Sequence, residues 1–147
     1  MPHRVLFICT GNSARSIMAE AILNKLGRGE YVAQSAGAKP SGIVNPLTIE
    51  TLRVHGHVTD GLYSKPLDQF LGQDFDTVIT VCDNARQSCP IWPARPTAGK
   101  SGQARMLHWS IADPAEIRSS DDDRKAFFER IYRDIERRIR AFIASSE

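Results

Sequence analysis

A chain of 147 residues, 41% hydrophobic and 24% charged, has the size and composition of one globular domain, 1–147, with a core of its own. Its net charge of +2, spread over mixed acids and bases, speaks against a nucleic-acid partner. The apolar run Val5 to Ile8 is too short for a signal-peptide core and no other stretch approaches membrane-spanning length, so a cytoplasmic protein with no membrane contact is expected.

Arg4 to Cys9 is a short, continuous apolar run, the pattern of a strand buried on both faces of a parallel sheet. From Ser16 to Leu26 the residues Met18, Ala19, Ile22, Leu23 and Leu26 recur at spacings of three and four, which predicts a helix stopped by Gly27. Tyr31 to Ala36 reads as a second strand, and Gly37 to Gly42 as a turn-rich connection. Asn45 supplies a cap and Pro46 a first helical position, so a helix is expected from there to about His55. A short helical piece near Leu67 to Leu71 precedes the β-branched run Thr77 to Val81, a third strand ending at Cys82. The Pro- and Gly-rich stretch Asp83 to Gly102 reads as an irregular loop, and Met106 to Trp109 as a fourth strand. Phe127, Phe128, Ile131, Ile135, Ile139, Phe142 and Ile143 mark one face of a long last helix, with Ser119 or Ser120 as cap and three aspartates in its first turn. Strands alternating with helices give an α/β domain, a four-stranded parallel sheet with helices on both faces.

In such a sheet ligands sit beyond the carboxyl ends of the strands, where Cys9 and Cys82 are both expected. The connection after the first strand carries the chemistry: Cys9, then the small or polar Thr10, Gly11, Asn12, Ser13 and Ala14, then Arg15 and Ser16 at the helix start. Backbone N–H groups from Thr10 to Arg15 have no ladder partners there, and with the helix N-terminus they make a cradle for a tetrahedral oxyanion. The small residues let the loop curl, and Arg15 can grip two oxygens of the anion. Ser16 can donate to the Cys9 sulfur, and Asn12 can lock the loop through its amide. Donors gathered around a sulfur favour the nucleophilic thiolate. The three cysteines, Cys9, Cys82 and Cys89, form no CxxC pair and no zinc pattern.

The segments CTGNSARSIMAE with the later SAG, VITVCDNARQSCP and HWSIADPAE together resemble, in that order, the low-molecular-weight protein tyrosine phosphatase family, and most of all its thioredoxin-coupled arsenate reductase branch. The likeness covers most of the chain. It implies arsenate as substrate, with phosphate as its analogue, and a relay in which Cys9 attacks arsenic, Cys82 resolves the adduct and Cys89 carries the disulfide outward. It also implies no bound cofactor, with electrons drawn from thioredoxin or from glutaredoxin and glutathione. Asp113, before Pro114, matches the family's general acid. The alternative is a protein tyrosine phosphatase, which shares the first step; a phosphocysteine is only hydrolysed, because thiols do not reduce phosphorus(V), and so needs no second thiol. Against it, Ala115 and Glu116 stand where the phosphatase branch has aromatic residues, and Ala14 where many phosphatases carry a second loop cysteine. A third reading is a non-catalytic oxyanion-binding or redox-sensing module, against which the set of Cys9, Arg15 and Asp113 speaks.

Some members of the reductase branch hold potassium beside the loop with residues that correspond to Asn12, Glu20 and Ser35. Lys65 stands near the place of an acidic ligand, so that its ammonium would replace the ion. His55 and His57 are two apart across a glycine, poor spacing for zinc, and no metal site is expected. The arginines Arg130, Arg133, Arg137, Arg138 and Arg140 alternate with acids as on a solvated helix face. Trp92 and Trp109 read equally as relay shields, carrier contacts or packing residues. A monomer is expected.

Overall fold

The computed structural model describes residues 2–81, 104–113 and 120–146. Val5, Leu6, Phe7 and Ile8 are all 0% exposed, as a strand covered on both faces requires. They lie in β1 (His3–Cys9), which pairs in parallel with β2 (Tyr31–Gly37) on one side and β3 (Thr77–Thr80) on the other; β4 (Arg105–His108) closes the order β2-β1-β3-β4. The other elements are α1 (Arg15–Leu26), α2 (Pro46–Val54), a 3₁₀ turn (Leu67–Phe70) and α3 (Asp121–Ser146). The four-stranded parallel sheet is the one expected, with ends displaced by a residue.

Each displacement has a local cause. The β1–β2 ladder opens at His3 opposite Tyr31, one residue before the apolar run. β3 stops at Thr80, although Val81 still donates its N–H to Ile8 O at 2.8 Å. β4 is Arg105–His108 rather than Met106 to Trp109, because Arg105 pairs with Thr77 at an edge where Met106 stays 41% exposed and hydrophobicity marks the strand poorly. α1 starts at Arg15, so the arginine belongs to its first turn. The loop read over Asp83 to Gly102 lies outside the described residues.

Among the described residues, α1 packs on β1, β2 and α3. Trp109 is wedged between Phe7 (ring centroids 5.9 Å) and Phe142 (6.3 Å), which makes it a packing residue of this layer. On the opposite face the Arg4 guanidinium lies 4.6 Å over the Phe75 ring, and Phe75 meets Phe70 of the 3₁₀ turn edge to face. Within α3, Phe128, Ile131, Ile135, Ile139 and Phe142 are buried. Ser120 is its cap, accepting the Asp123 N–H at 3.2 Å. Its outer face carries the pairs Arg133–Glu129, Arg138–Asp134 and Arg140–Glu136 one turn apart, a solvated face as read from the sequence.

The two histidines join α2 to α3. His55 Nε2 meets both Glu129 oxygens (2.8 and 3.0 Å), and its ring stacks on Tyr132 at 3.9 Å. Buried His57 shares a hydrogen bond with the Tyr132 hydroxyl, whose pKa is pushed up to about 12 by burial and by Glu136 and Glu129. Burial, then Lys25 and His55, hold the His57 pKa below 6.5. The unfolded chain therefore binds this proton more readily than the folded one, and stability should fall as pH drops below about 6.5. Thermal melts from pH 7.5 to 5 should show that fall, and His57→Gln should flatten it; an unchanged slope in the variant would assign the loss to other groups.

Candidate active site

Cys9 ends β1 at 2% exposure, and the chain then turns through residues 10–14 into α1. What shapes this turn is where its carbonyls go. Cys9 O accepts from Ala38 N (3.0 Å), Thr10 O from Lys39 N (2.9 Å), Gly11 O from Ser41 N (2.9 Å) and Ser13 O from Asn45 N (3.0 Å). Gly11 O also accepts from the Ser64 hydroxyl. The segment leaving β2 thus wraps the loop from outside and draws its carbonyls outward. No described peptide bond is cis, so each outward carbonyl turns the next N–H the opposite way. Those N–H groups belong to Thr10, Gly11, Asn12 and Ala14. Asn12 shows the result: its N–H donates to Cys9 Sγ at 3.1 Å.

Asn12 takes the left-handed conformation, φ 48°, one that asparagine tolerates better than most residues. Its fully buried side chain holds two partners. Nδ2 donates to Ser16 Oγ at 2.7 Å, and Oδ1 accepts from Lys65 N at 2.7 Å. With its oxygen engaged by Asn12, Ser16 has its own hydrogen left for Cys9 Sγ, 2.8 Å away. Two donors therefore meet the sulfur from the protein side.

Below the loop lies the cluster read from the sequence. Lys65, 4% exposed, places Nζ 3.2 Å from Glu20 Oε1 and 2.9 Å from Tyr63 O, over the Tyr63 ring. Ser35 Oγ donates to the same Glu20 oxygen. Asn12, Glu20, Ser35 and Lys65 are thus brought together, with the lysine ammonium among them.

Arg15 opens α1, whose N-terminus has no side-chain cap, so the amides that begin the helix directly after the loop are left without one. The Arg15 guanidinium donates to Ile111 O at 3.0 Å and stands 3.6 Å from Asp113 Oδ2. Asp113, with a side chain 32% exposed, is thereby placed beside the arginine that opens α1. Of the candidate residues, the structure brings together Cys9, Thr10, Gly11, Asn12, Ser13, Ala14, Arg15, Ser16 and Asp113. Cys82 and Cys89 lie outside the described residues, as do Trp92, Pro114, Ala115 and Glu116.

Sequence reasoning missed Gly37. Its register partner is Cys9, and a Cβ there would meet Thr10 O at 2.7 Å and Asn12 Cβ at 3.0 Å. The glycine of SAG is a point of backbone contact between β2 and the loop, which the turn-like composition of residues 37–42 did not disclose.

A parallel sheet whose central strand delivers a buried cysteine into an amide-lined loop, closed by an arginine at a helix start, has the arrangement of a cysteine-based enzyme. Residues 4–147 match the model of the low molecular weight phosphotyrosine protein phosphatase family. An arsenate reductase of Halalkalibacterium halodurans is 34% identical over 138 residues, 94% of this chain and 93% of that protein. The crystal structure of arsenate reductase from Archaeoglobus fulgidus superposes with a TM-score of 0.73 at 27% identity, covering 95% of this chain and 98% of the other. A thioredoxin-dependent arsenate reductase of Corynebacterium glutamicum gives the same TM-score at 28% identity over 98% of this chain and 61% of that one. The chain belongs to the low molecular weight phosphotyrosine protein phosphatase family, and within it groups with the arsenate reductases.

Proposed function

We propose that this enzyme reduces arsenate to arsenite through Cys9, Cys82 and Cys89. The observation that carries the reading is the Cys9 sulfur, buried at the floor of a loop whose amides turn inward, in a chain that groups with arsenate reductases. The Cys9 thiolate attacks arsenic, and one arsenate oxygen leaves as water after Asp113 supplies a proton. The inward amides and Arg15 take up the negative charge of the transition state. Cys82 then attacks the Cys9 sulfur; the electron pair of the S–As bond stays on arsenic, arsenite leaves, and a Cys9–Cys82 disulfide remains. Cys89 attacks Cys82 and frees Cys9, and a dithiol carrier reduces the Cys82–Cys89 disulfide. Val81, which immediately precedes Cys82, is hydrogen-bonded to Ile8 beside Cys9, which supports this assignment.

Thioredoxin is the carrier we favour, since a relative of similar fold is thioredoxin-dependent; glutaredoxin with glutathione is the other. The protein acts as a cytoplasmic monomer with no bound cofactor, and Lys65 fills the position of a cation beside the loop. Among the described residues no helix is long and apolar enough to cross a membrane.

The test follows arsenate-dependent NADPH consumption with thioredoxin and its reductase, alongside aryl phosphate hydrolysis. Cys82→Ser and Cys89→Ser should each stop arsenate turnover and leave hydrolysis of the ester near native, and exchange of potassium for sodium should leave the rate unchanged. Should neither carrier support arsenate turnover while the ester is hydrolysed briskly, the protein is a phosphatase and the relay is wrong.

A further inference from the structure

Cys9 O and Thr10 O are drawn outward by the backbone N–H groups of Ala38 and Lys39, while Gly11 O and Ser13 O each take a backbone N–H and a side-chain hydroxyl; for Gly11 O these come from Ser41 and Ser64. The pair on Ser13 O comes from α2 and its cap. Ser13 O accepts from Asn45 N, at the cap of α2, at 3.0 Å and from the Thr48 hydroxyl, in its first turn, at 2.9 Å. Thr48 is 0% exposed, and its chain neighbour in this contact lies 35 residues away. The Ser13–Ala14 peptide lies outside α1: Ala14 precedes the helix with φ −139° and ψ −77°, and it is the carbonyl of Ala14 itself that accepts from Met18 N, at 2.9 Å. The orientation of the peptide is set by what Ser13 O binds, and that orientation aims the Ala14 N–H into the loop. α1 opens directly after it.

We propose that Thr48 is a positioning residue of the oxyanion site: its hydroxyl fixes the Ser13–Ala14 peptide so that the Ala14 amide and the start of α1 meet the anion. The proposal rests on the reading of the Cys9 loop as an oxyanion site. Asn45 N gives Ser13 O one donor, as Ala38 N and Lys39 N give Cys9 O and Thr10 O. The Thr48 hydroxyl supplies a second, which narrows the range over which the peptide can tilt. Thr48 touches neither substrate nor sulfur, so its effect falls on anion affinity and on transition-state charge, not on the identity of the nucleophile.

The experiment compares Thr48→Val, which keeps the volume and loses the donor, with Thr48→Ser, which keeps the donor; Thr48→Ala is a second deletion in case valine disturbs packing. Inhibition by inorganic phosphate is measured against aryl phosphate hydrolysis, together with phosphate protection of Cys9 from iodoacetamide. Thr48→Val should weaken phosphate inhibition about fivefold, the worth of one hydrogen bond, and lower kcat while KM also rises. Thr48→Ser should restore both. Native phosphate affinity in both deletion variants would overturn the proposal, as would a serine variant as impaired as valine, since methyl packing would then be the cause. Wild-type protein whose Cys9 is not protected by phosphate would instead bring down the oxyanion reading, and this proposal with it.

Discussion

Cys9→Ser is expected to abolish both arsenate turnover and aryl phosphate hydrolysis, by at least about a thousandfold, as removal of a covalent nucleophile does. A serine hydroxyl in the same place keeps the volume and the contacts from Asn12 N and Ser16 Oγ, so the fold should be intact. What is lost is an easily ionised nucleophile whose adduct a second thiol can resolve. Anion binding should survive, because the inward amides and Arg15 are untouched. Calorimetric titration with phosphate against parallel turnover assays separates the two properties. Hydrolysis that persists in the variant would remove Cys9 from its assigned role, and loss of phosphate binding would show that the sulfur itself is part of the anion site.

Gly37→Ala should damage the site almost as severely from a position that never touches substrate. The new methyl would stand 2.7 Å from Thr10 O, a distance real Cβ atoms essentially never show, and a tight 3.2 Å from Asn12 N. Both atoms are loop backbone, so no side chain can swing aside, and either β2 or the loop must move. Overpacking of this kind costs about 1–3 kcal/mol of stability. The larger effect is geometric: a displacement near 1 Å in a catalytic array lowers turnover roughly a hundredfold. Gly42 offers a control, since a Cβ there meets nothing within 4 Å and the penalty is confined to its φ of 82°. A Gly37→Ala protein with native melting temperature and native phosphate affinity would refute the contact.

Local patterns carried much of the fold. The apolar run of β1, the three-and-four spacing of α1, the Asn45 cap, whose side chain accepts from Leu47 N at 2.9 Å, and the apolar face of α3 are each decided within a few residues of sequence. The Cys9 loop was legible for the same reason, since cysteine, small residues and arginine follow one another directly. Contacts between distant segments were not legible from local patterns. Thr48 reaches Ser13 across 35 positions and leaves no mark on its own neighbourhood, whereas the meeting of Lys65 with Asn12 across 53 was read through the family resemblance alone. Gly37 read as a turn residue, although it is the last residue of β2, because a glycine chosen for close approach and one chosen for turning are the same letter. At β4 the edge position weakened the burial signal, and the ladder rather than hydrophobicity fixed where the strand began.

The central place of β1 puts its cysteine within reach of both flanks of the sheet. The neighbour on one side, β2, feeds the segment that frames the loop, while the neighbour on the other, β3, leads toward Cys82, and the segment after β4 holds Arg15 through Ile111 O and Asp113. Substitutions on the β2 flank bear on the loop carbonyls, and those beyond β4 bear on the arginine that closes the loop. The loop is thus fixed from two sides at once, and any change of chemistry at Cys9 has to keep both.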